Sequence, residues 1–217
     1  MVLGIYGAGF LGREIMETAL DINQLTPRWT QIYYIVDRGY TLTSHFGGET
    51  IYVDDFIAIE KDKEAVIAVG EPYAREHMWH KLKANGIPLA APLIHPGCKV
   101  ARGAGLGDGT VVSFGAFISF NTNVGANVYI QPNSGVGHDV TIGDNSVISA
   151  GVRIAGRCSI GKNTYIGLSV PVRDQMTIGE GVIVSMGSVV QRDIPDHVIA
   201  MGNPARAMKE NTEHKLF

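Results

Sequence analysis

The chain has 217 residues and a formal net charge of -3 at pH 7, with a sequence pI near 6.1. This length allows two small domains or one large one, and the mildly acidic charge excludes the broad basic surface that is typical of proteins binding nucleic acid or anionic membranes. No apolar run reaches the roughly 18 residues that a membrane-spanning helix needs, and the amino terminus lacks the basic region and cleavage site of a signal peptide. We therefore expect a cytoplasmic protein without nucleic-acid or membrane partners.

Residues 1–91 predict a small α/β domain that begins with a glycine-rich turn. A buried strand over 2–6 is followed by Gly7-Ala8-Gly9-Phe10-Leu11-Gly12, and a helical pattern then continues to about Leu20. Between a strand and a helix, such glycines permit a tight turn and leave the N–H groups of the helix start free to bind a phosphate.

The rest of this domain predicts strands over 32–36, 50–53 and 65–69, and a helix over 73–85, with Asp37 directly after the first of these strands. A dinucleotide normally requires two mononucleotide halves, and this domain has room for one half of a Rossmann fold. We therefore interpret the glycine-rich turn and Asp37 as a mononucleotide or nucleotide-sugar site. Binding of NAD and a glycine loop used for packing alone are the alternatives.

Residues 92–195 predict a parallel β-helix, because they carry a six-residue repeat. From Ile94 to Val190 every sixth residue is Ile, Val or Leu, which makes 17 positions without an exception. A series of mostly small residues follows four places later in each hexad and includes both cysteines, Cys98 and Cys158, which we expect to fill the core. Each hexad supplies a short strand and a turn, three hexads close a coil, and the inward aliphatic residues stack about 4.8 Å apart.

Residues 196–217 are predicted to form a C-terminal loop and tail. The loop carries Gly202-Asn203-Pro204-Ala205-Arg206, and the segment from Ala207 onward is polar and weakly helical in pattern.

A single histidine stands out on the repeat. His138 is the only histidine between Val100 and Gln191, and Asp139 follows it directly. Because Val136 points inward, His138 lies near a turn and can project outward, and the carboxylate of Asp139 can hold the imidazole in the tautomer that a general base requires. The alternative is a surface histidine beside a solvated carboxylate.

Taken together, six motifs resemble the bacterial sugar acetyltransferases of the NeuD and PglD type over essentially the whole chain. They are the glycine-rich turn, Asp37, Ala68-Val69-Gly70 before a helix, Leu93-Ile94-His95-Pro96, Gly137-His138-Asp139, and the loop Gly202 to Arg206. The resemblance implies a half-Rossmann domain joined to a left-handed parallel β-helix. It also implies N-acetylation of a nucleotide-linked amino sugar by acetyl-CoA, within a homotrimer whose active sites lie between subunits.

The resemblance further implies roles for individual residues. His138 corresponds to the general base and Asp139 to its acidic partner, while the N–H of Gly156 corresponds to the donor for the oxyanion. Residues expected to line the acetyl-CoA path are Gly156, Gly187, Gly202, Asn203, Pro204, Ala205 and Arg206. Residues expected to bind the nucleotide sugar are Gly7, Ala8, Gly9, Phe10, Leu11, Gly12, Asp37, Arg38, Gly70, Gln131 and Asn133. No metal ligand is expected.

Two positions depart from the family pattern. Gln131 stands where relatives place an asparagine seven residues before the base, with Asn133 nearby, and Val147 stands where many relatives carry a histidine. The alternatives are O-acetylation of a sugar such as sialic acid, an amino acid as the acceptor, and a catalytically inactive nucleotide-sugar-binding trimer. A zinc carbonic anhydrase on the same scaffold would need three converging histidines, and only His95 and His197, at the ends of the repeat, accompany His138.

Overall fold

The computed structural model describes residues 1–43, 45–213 and 215–216. The N-terminal domain contains a four-stranded parallel sheet in the order β3-β2-β1-β4 and three helices. Its strands are β1 (Val2–Tyr6), β2 (Gln31–Val36), β3 (Glu49–Tyr52) and β4 (Lys63–Ile67), and its helices are α1 (Phe10–Leu25), α2 (Val53–Ile57) and α3 (Pro72–Ala84).

Alternating apolar residues of these strands form two cores. Leu3 and Ile5 pack with α1 on one side of the sheet, whereas Val2 and Tyr6 pack with α2 and α3 on the other. Helix α1 is longer than the sequence pattern predicts and ends where Pro27 forces the preceding Thr26 into an extended conformation. Helix α2, only five residues long, was not predicted from the sequence.

The expected left-handed parallel β-helix follows. Its sixteen short strands each contain two residues, and every strand pairs in parallel with the strand 18 residues away. They are β5 (Leu93–Ile94), β6 (Lys99–Val100), β7 (Gly105–Leu106), β8 (Val111–Val112), β9 (Phe117–Ile118), β10 (Asn123–Val124), β11 (Tyr129–Ile130), β12 (Gly135–Val136), β13 (Thr141–Ile142), β14 (Val147–Ile148), β15 (Arg153–Ile154), β16 (Ser159–Ile160), β17 (Tyr165–Ile166), β18 (Pro171–Val172), β19 (Thr177–Ile178) and β20 (Ile183–Val184).

These strands form the three faces of a triangular prism. The first face contains β5, β8, β11, β14, β17 and β20, the second contains β6, β9, β12, β15 and β18, and the third contains β7, β10, β13, β16 and β19. We call the turns that end each face the first, second and third corners; their middle coils lie at 131–134, 137–140 and 143–146, respectively. Since the corners alternate with the faces, the second corner lies opposite the first face.

The hexad residues fill the prism as predicted. All of them from Val112 to Val190 are buried in one cluster, and the three in the first coil pack against it. Five small hydroxyl residues of the inward series each donate to a carbonyl oxygen 15 residues later, as Thr122 does to Gly137 O at 2.8 Å. These five hydroxyl groups are therefore buried with their hydrogen bonds satisfied, at little cost in stability.

The N-terminal domain packs against the first face. Val111, Tyr129 and Val147 on that face share a core with Ile15 and Met16 of α1. Contacts continue at the third corner, where Arg75 and Glu76 of α3 bond to the β-helix. The domain therefore covers the side of the prism that faces away from the second corner.

The C-terminal segment differs from the prediction of a weakly helical tail. Strand β21 (Val198–Met201) pairs in parallel with β20, and β22 (Arg206–Glu210) returns antiparallel to β21. The polar residues of this segment carry no strand pattern, but β21 offers a free edge and the backbone of β22 satisfies it. His214 and Phe217, at the end of the predicted tail, lie outside the described residues. Within the described part of the chain, no helix is both long and apolar enough to cross a membrane.

Candidate active site

His138 lies on the second corner, with its imidazole held from three sides. Its Nδ1 is 2.7 Å from Oδ2 of Asp139, the ring of Phe120 stacks on it at 5.5 Å between centroids with 10° between planes, and Gly156 lies under it one coil further along. Because a carboxylate can only accept, Nδ1 carries the proton and Nε2 is left as the basic nitrogen.

Asp139 is held in the ionised form. The hydrogen bond from His138, followed by the one that Asn121 Nδ2 donates at 3.2 Å, lowers the pKa of this carboxyl below its ordinary value. The backbone of Asp139 is left-handed, with φ of 57°, a conformation that Asp tolerates better than most residues. Asp139 can therefore orient His138 throughout the neutral pH range.

Gly156 leaves no room for a side chain beside His138. A Cβ atom built on Gly156 would lie 2.5 Å from Nε2 of His138, so any larger residue would displace the ring. Within the described residues, the N–H of Gly156 donates to no protein acceptor. A basic nitrogen and a free backbone donor thus lie side by side, which is the arrangement that acyl transfer requires.

The glycine-rich turn forms one wall of a second site, a cavity of about 490 Å³ in the N-terminal domain. Its lining residues are Tyr6, Gly7, Ala8, Gly9, Ile35, Val36, Asp37, Arg38, Gly39, Tyr40, Ala68, Val69 and Met78.

Each glycine of the turn has a distinct function. Gly7 has φ of 125° and lies so close to Ala68 O that a Cβ would be 2.8 Å from it, whereas a Cβ on Gly12 would be 2.1 Å from Gly7 O. Gly9, at the start of α1, has open space in front of it. The outer two glycines therefore allow close packing, and Gly9 leaves room for a ligand to reach the helix start.

Asp37 lies in this cavity, but part of its carboxylate is already bonded. Oδ1 accepts hydrogen bonds from Tyr6 Oη at 2.8 Å and from Lys81 Nζ. Partial burial alone raises the pKa of Asp37, but the bonds from Lys81 and Tyr6 outweigh it and leave that pKa below its ordinary value. Burial, with Asp37 second, raises the pKa of Tyr6 to about 12, so Tyr6 remains a donor. Oδ2 is left to accept from a ligand.

The remaining residues predicted for the nucleotide sugar are placed differently. Phe10 is 82% exposed and Leu11 is partly buried; neither lines the cavity, and the guanidinium of Arg13 lies over the Phe10 ring. Arg38 lines it, but its guanidinium pairs with Asp54 at 2.8 Å.

Gly70 and Gln131 meet in another place. Together with Glu71, Tyr165 and Leu216 they line a separate cavity of about 290 Å³ between the N-terminal domain and the first face. The side-chain carbonyl of Gln131 accepts from Ala150 N at 3.1 Å. Asn133 is exposed on the first corner, with φ of 58°. The structure thus does not bring Gln131 or Asn133 to the Gly7–Asp37 cavity of the same chain.

The structure brings the loop Gly202 to Arg206 onto the last coil, beside Gly187. Gly202 N donates to Ser188 Oγ at 3.2 Å, and Ala205 N donates to Val189 O at 2.8 Å. Gly187 has φ of 69° and open space where a side chain would be. This group lies on the first corner, whereas Gly156 lies on the second, so the two parts of the predicted acetyl-CoA path are on different corners of one chain.

Both cysteines belong to the core of the β-helix. Burial raises the pKa of the Cys98 and Cys158 thiols, so neither is prepared to act as a thiolate. Within the described part of the chain, no three histidine, cysteine or acidic side chains form a group that could hold a metal ion. His95 instead pairs with Asp21 at 3.0 Å.

Several side chains of these sites were missed by sequence reasoning. Phe120 and Asn121 precede His138 and Asp139 by 18 residues, so the length of one coil could have revealed them. Tyr6 and Lys81 are brought to Asp37 by β1 and α3, and no spacing in the sequence reveals that contact.

Comparison with known proteins agrees with this architecture. Residues 2–82 match the PglD N-terminal domain family, and residues 121–156 match the bacterial transferase hexapeptide family. No curated protein sequence matches the chain.

Several solved structures are similar over nearly the whole length. The acetyltransferase domain of PglB from Neisseria gonorrhoeae is 28% identical, with a TM-score of 0.87 over 95% of this chain and 99% of that one. The same domain has been solved with acetyl coenzyme A, at 27% identity, a TM-score of 0.87, and coverage of 95% and 98%.

WeeI from Acinetobacter baumannii is 26% identical, with a TM-score of 0.66 over 96% of this chain and 100% of that one. PerB from Caulobacter crescentus, solved with CoA and GDP-perosamine, has the same fold at 24% identity, a TM-score of 0.87, and coverage of 96% and 98%. The chain thus joins a PglD-type N-terminal domain to a hexapeptide-repeat β-helix that carries the Gly137-His138-Asp139 motif, and in this architecture it resembles the sugar acetyltransferases of the NeuD/PglD type.

Proposed function

We propose that the protein transfers the acetyl group of acetyl-CoA to the amine of a nucleotide-linked amino sugar. The observation that carries this proposal is the geometry at His138, whose Nδ1 is engaged by Asp139 and whose Nε2 lies beside the free N–H of Gly156. The relative from Neisseria gonorrhoeae that was solved with acetyl coenzyme A supports the choice of donor. The PglD-type domain, with open space in front of Gly9 at the start of α1, supports a nucleotide-linked acceptor.

The reaction is a direct transfer in this proposal. The sugar amine attacks the thioester carbonyl while Nε2 of His138 takes a proton from the nitrogen, and the N–H of Gly156 stabilises the oxyanion that forms on the carbonyl oxygen. The tetrahedral intermediate then expels the CoA sulfur, which receives the proton from the imidazolium. Asp139 stabilises that imidazolium during the interval. Neither cysteine forms a covalent intermediate.

We further propose that the active site is shared between chains of a homotrimer. His138 lies on the second corner, opposite the face that the nucleotide-binding domain covers, so one chain holds its two half-sites on opposite sides of the prism. Gly187 and the loop Gly202 to Arg206 lie on yet another corner. In this proposal, prisms associate side by side, so that the second corner of one chain lies against the N-terminal domain and the first corner of the next.

Exposed apolar residues support this association. Phe117 on the second face is 45% exposed, and Phe114 and Phe120 on the adjoining corners are 59% and 53% exposed. Leu168 and Met186 extend the apolar surface along the first corner. Exposed large apolar side chains on one face and its two corners are typical of an interface between subunits. Acetyl-CoA and nucleotide-linked sugars are cytoplasmic metabolites, so we propose that the protein acts in the cytoplasm.

The test is thiol release from acetyl-CoA in the presence of UDP-, GDP- and dTDP-linked amino sugars, with the matching hydroxy sugars, free sialic acid and amino acids as the other acceptors. We expect release with at least one nucleotide-linked amino sugar and none with its hydroxy counterpart. Release with hydroxy sugars or sialic acid alone would identify an O-acetyltransferase. If none of these acceptors causes thiol release, an inactive nucleotide-sugar-binding trimer is favoured.

A further inference from the structure

Arg75 of α3 is completely buried between the N-terminal domain and the β-helix, with no described carboxylate at ion-pair distance. Its Nε and Nη2 donate to the main-chain and side-chain oxygens of Asn127, at 2.9 and 2.8 Å. Its Nη1 donates to Ile67 O and Val69 O, both at 2.9 Å. Burial lowers the pKa of Arg75 to about 9, so the side chain still carries its charge at neutral pH.

The charge of Arg75 is connected to a carboxylate through a ladder of three buried asparagines on the third corner. Asn127 Nδ2 donates to Asn145 Oδ1 at 2.9 Å, Asn145 Nδ2 donates to Asn163 Oδ1 at 3.0 Å, and Asn163 Nδ2 donates to Glu76 Oε2 at 3.0 Å. All four bonds, counted from the guanidinium, point in the same direction, so each amide polarises the next. Arg75 and Glu76, neighbours in α3, thus hold the two ends of a ladder that spans two coils.

This arrangement exceeds what stability of the junction requires. A buried charge is expensive to desolvate, and apolar residues of similar size are often as stable or more so. The bonds of Arg75 have a specific geometric effect, because Val69 lines the nucleotide cavity and Ile67 ends β4. One rigid side chain therefore connects the wall of that cavity to the β-helix.

We propose that Arg75 is a positioning residue for the transfer reaction. By fixing Val69 against Asn127, it sets both the shape of the nucleotide cavity and the orientation of the N-terminal domain on its own prism. This inference rests on the proposed function, in which the sugar amine held by one chain must reach His138 of the next. A misplacement of about 1 Å at such a distance reduces catalysis by about 100-fold.

The test compares two variants that remove parts of the same network. Arg75→Gln removes the guanidinium that bonds to both Val69 and Asn127. Asn145→Gly breaks the middle of the ladder and leaves in place the contacts of Arg75 and Glu76 with the β-helix. Gly109 and Gly181 occupy the equivalent position two coils before and two coils after Asn145, so glycine suits the left-handed backbone of this corner. Asn145→Gly should lower the melting temperature and leave nucleotide and CoA binding unchanged.

Binding is measured by calorimetry with UDP, GDP, dTDP and CoA, so that the result does not depend on turnover. We expect Arg75→Gln to lower the affinity for the nucleotide that binds the wild type most tightly by about 10-fold or more. The affinity for CoA should stay unchanged. Arg75→Lys keeps the charge but not the fork, and should give an intermediate value; it replaces Arg75→Gln if that variant does not fold.

The outcomes separate the two hypotheses. If the Arg75 variants melt at a lower temperature but bind nucleotides as the wild type does, Arg75 has a structural role only and the inference is overturned. The inference is also overturned if the wild type binds no nucleotide. A third outcome is that the wild type binds a nucleotide, that Arg75→Gln weakens this binding, and that the wild type transfers no acetyl group. This outcome would support the inference and refute the proposed function.

Discussion

At the scale of single residues, the orientation of His138 depends on contacts from neighbouring coils. Phe120 lies one coil before it and Gly156 one coil after it, while Asp139 comes from the adjacent position. The regular stacking of the β-helix therefore provides both walls of the imidazole site. Such support fixes a catalytic group more firmly than a mobile loop does.

Replacement of His138 by Ala should lower kcat by about 10²- to 10⁴-fold, the range expected when a general base is lost. The side chain projects outward, so the variant should keep its oligomeric state in size-exclusion chromatography. His95→Asn, at a histidine paired with Asp21, is the matched control and should retain activity. Turnover of His138→Ala at the wild-type rate would remove His138 from the mechanism.

Replacement of Gly156 by Ala should impair the same step from the other side. The added Cβ would meet Nε2 of His138 at 2.5 Å, so the imidazole must move, and we expect kcat to fall by about 100-fold. The melting temperature should change little, because the obstruction lies at an exposed side chain. Gly135→Ala, whose Cβ would meet only the flexible Arg153, serves as the control. Equal kcat in both variants would contradict the close placement of Gly156.

Asp37 should matter for the sugar substrate and not for the donor. Asp37→Ala is expected to raise the KM for the nucleotide sugar while the KM for acetyl-CoA stays the same, as steady-state kinetics can determine. A carboxylate whose pKa is lowered by folding stabilises the protein above the unfolded value of about 3.9, and this contribution disappears as the pH falls through the lowered pKa. The difference in melting temperature between wild type and Asp37→Ala should therefore shrink below about pH 4. A difference that grows on acidification would contradict this assignment.

At the scale of elements, glycines on the third corner determine how closely coils stack. A Cβ on Gly143 would lie 2.4 Å from Lys162 N, a backbone atom that cannot move independently. Gly143→Ala should therefore destabilise the fold by about 1–3 kcal/mol in denaturant unfolding. Gly105→Ala, where the nearest atom is a side-chain oxygen 3.2 Å away, should cost much less. Similar losses in both variants would argue against close stacking as the cause.

The β-helix could be predicted from the sequence because each hexad repeats the same pattern, with an aliphatic residue at every sixth position. The helix boundaries in the N-terminal domain and strand β22 were harder, since short helices and polar edge strands depend on their neighbours in the fold. The sequence points to His138 because it is the only histidine between Val100 and Gln191, and to Asp139 because it follows His138 directly. Arg75 and Lys81 were not singled out, because their partners Asn127 and Asp37 lie far away in sequence and no period connects them.

At the scale of the whole molecule, the proposed active site combines groups from two chains. Gly9→Glu places a negative charge at the opening where a phosphate would bind, in open space that tolerates the side chain. Trimers of Gly9→Glu alone or His138→Ala alone should be nearly inactive. Mixed trimers, isolated through two affinity tags, should regain activity, because some interfaces combine an intact nucleotide cavity with an intact His138.

The recovery should appear only after the chains are exchanged by unfolding and refolding together or by co-expression. Mixing the two assembled variants is the control and should restore nothing. Isolated mixed trimers that remain inactive would indicate that each chain carries a complete site.

The hydrogen bonds of α3 with the asparagine ladder also limit where the β-helix can gain or lose a coil. Arg75 and Glu76 hold residues 127 and 163, which are two coils apart. Insertion of one 18-residue coil between them would carry Asn163 about 4.8 Å away from Glu76 and break the ladder. Insertion beyond residue 164 would spare the ladder but move Gly187 and the Gly202–Arg206 loop away from His138 by the same step. The length of the prism is thus limited at one end by its contacts with α3 and, under the proposed function, at the other end by the length of acetyl-CoA.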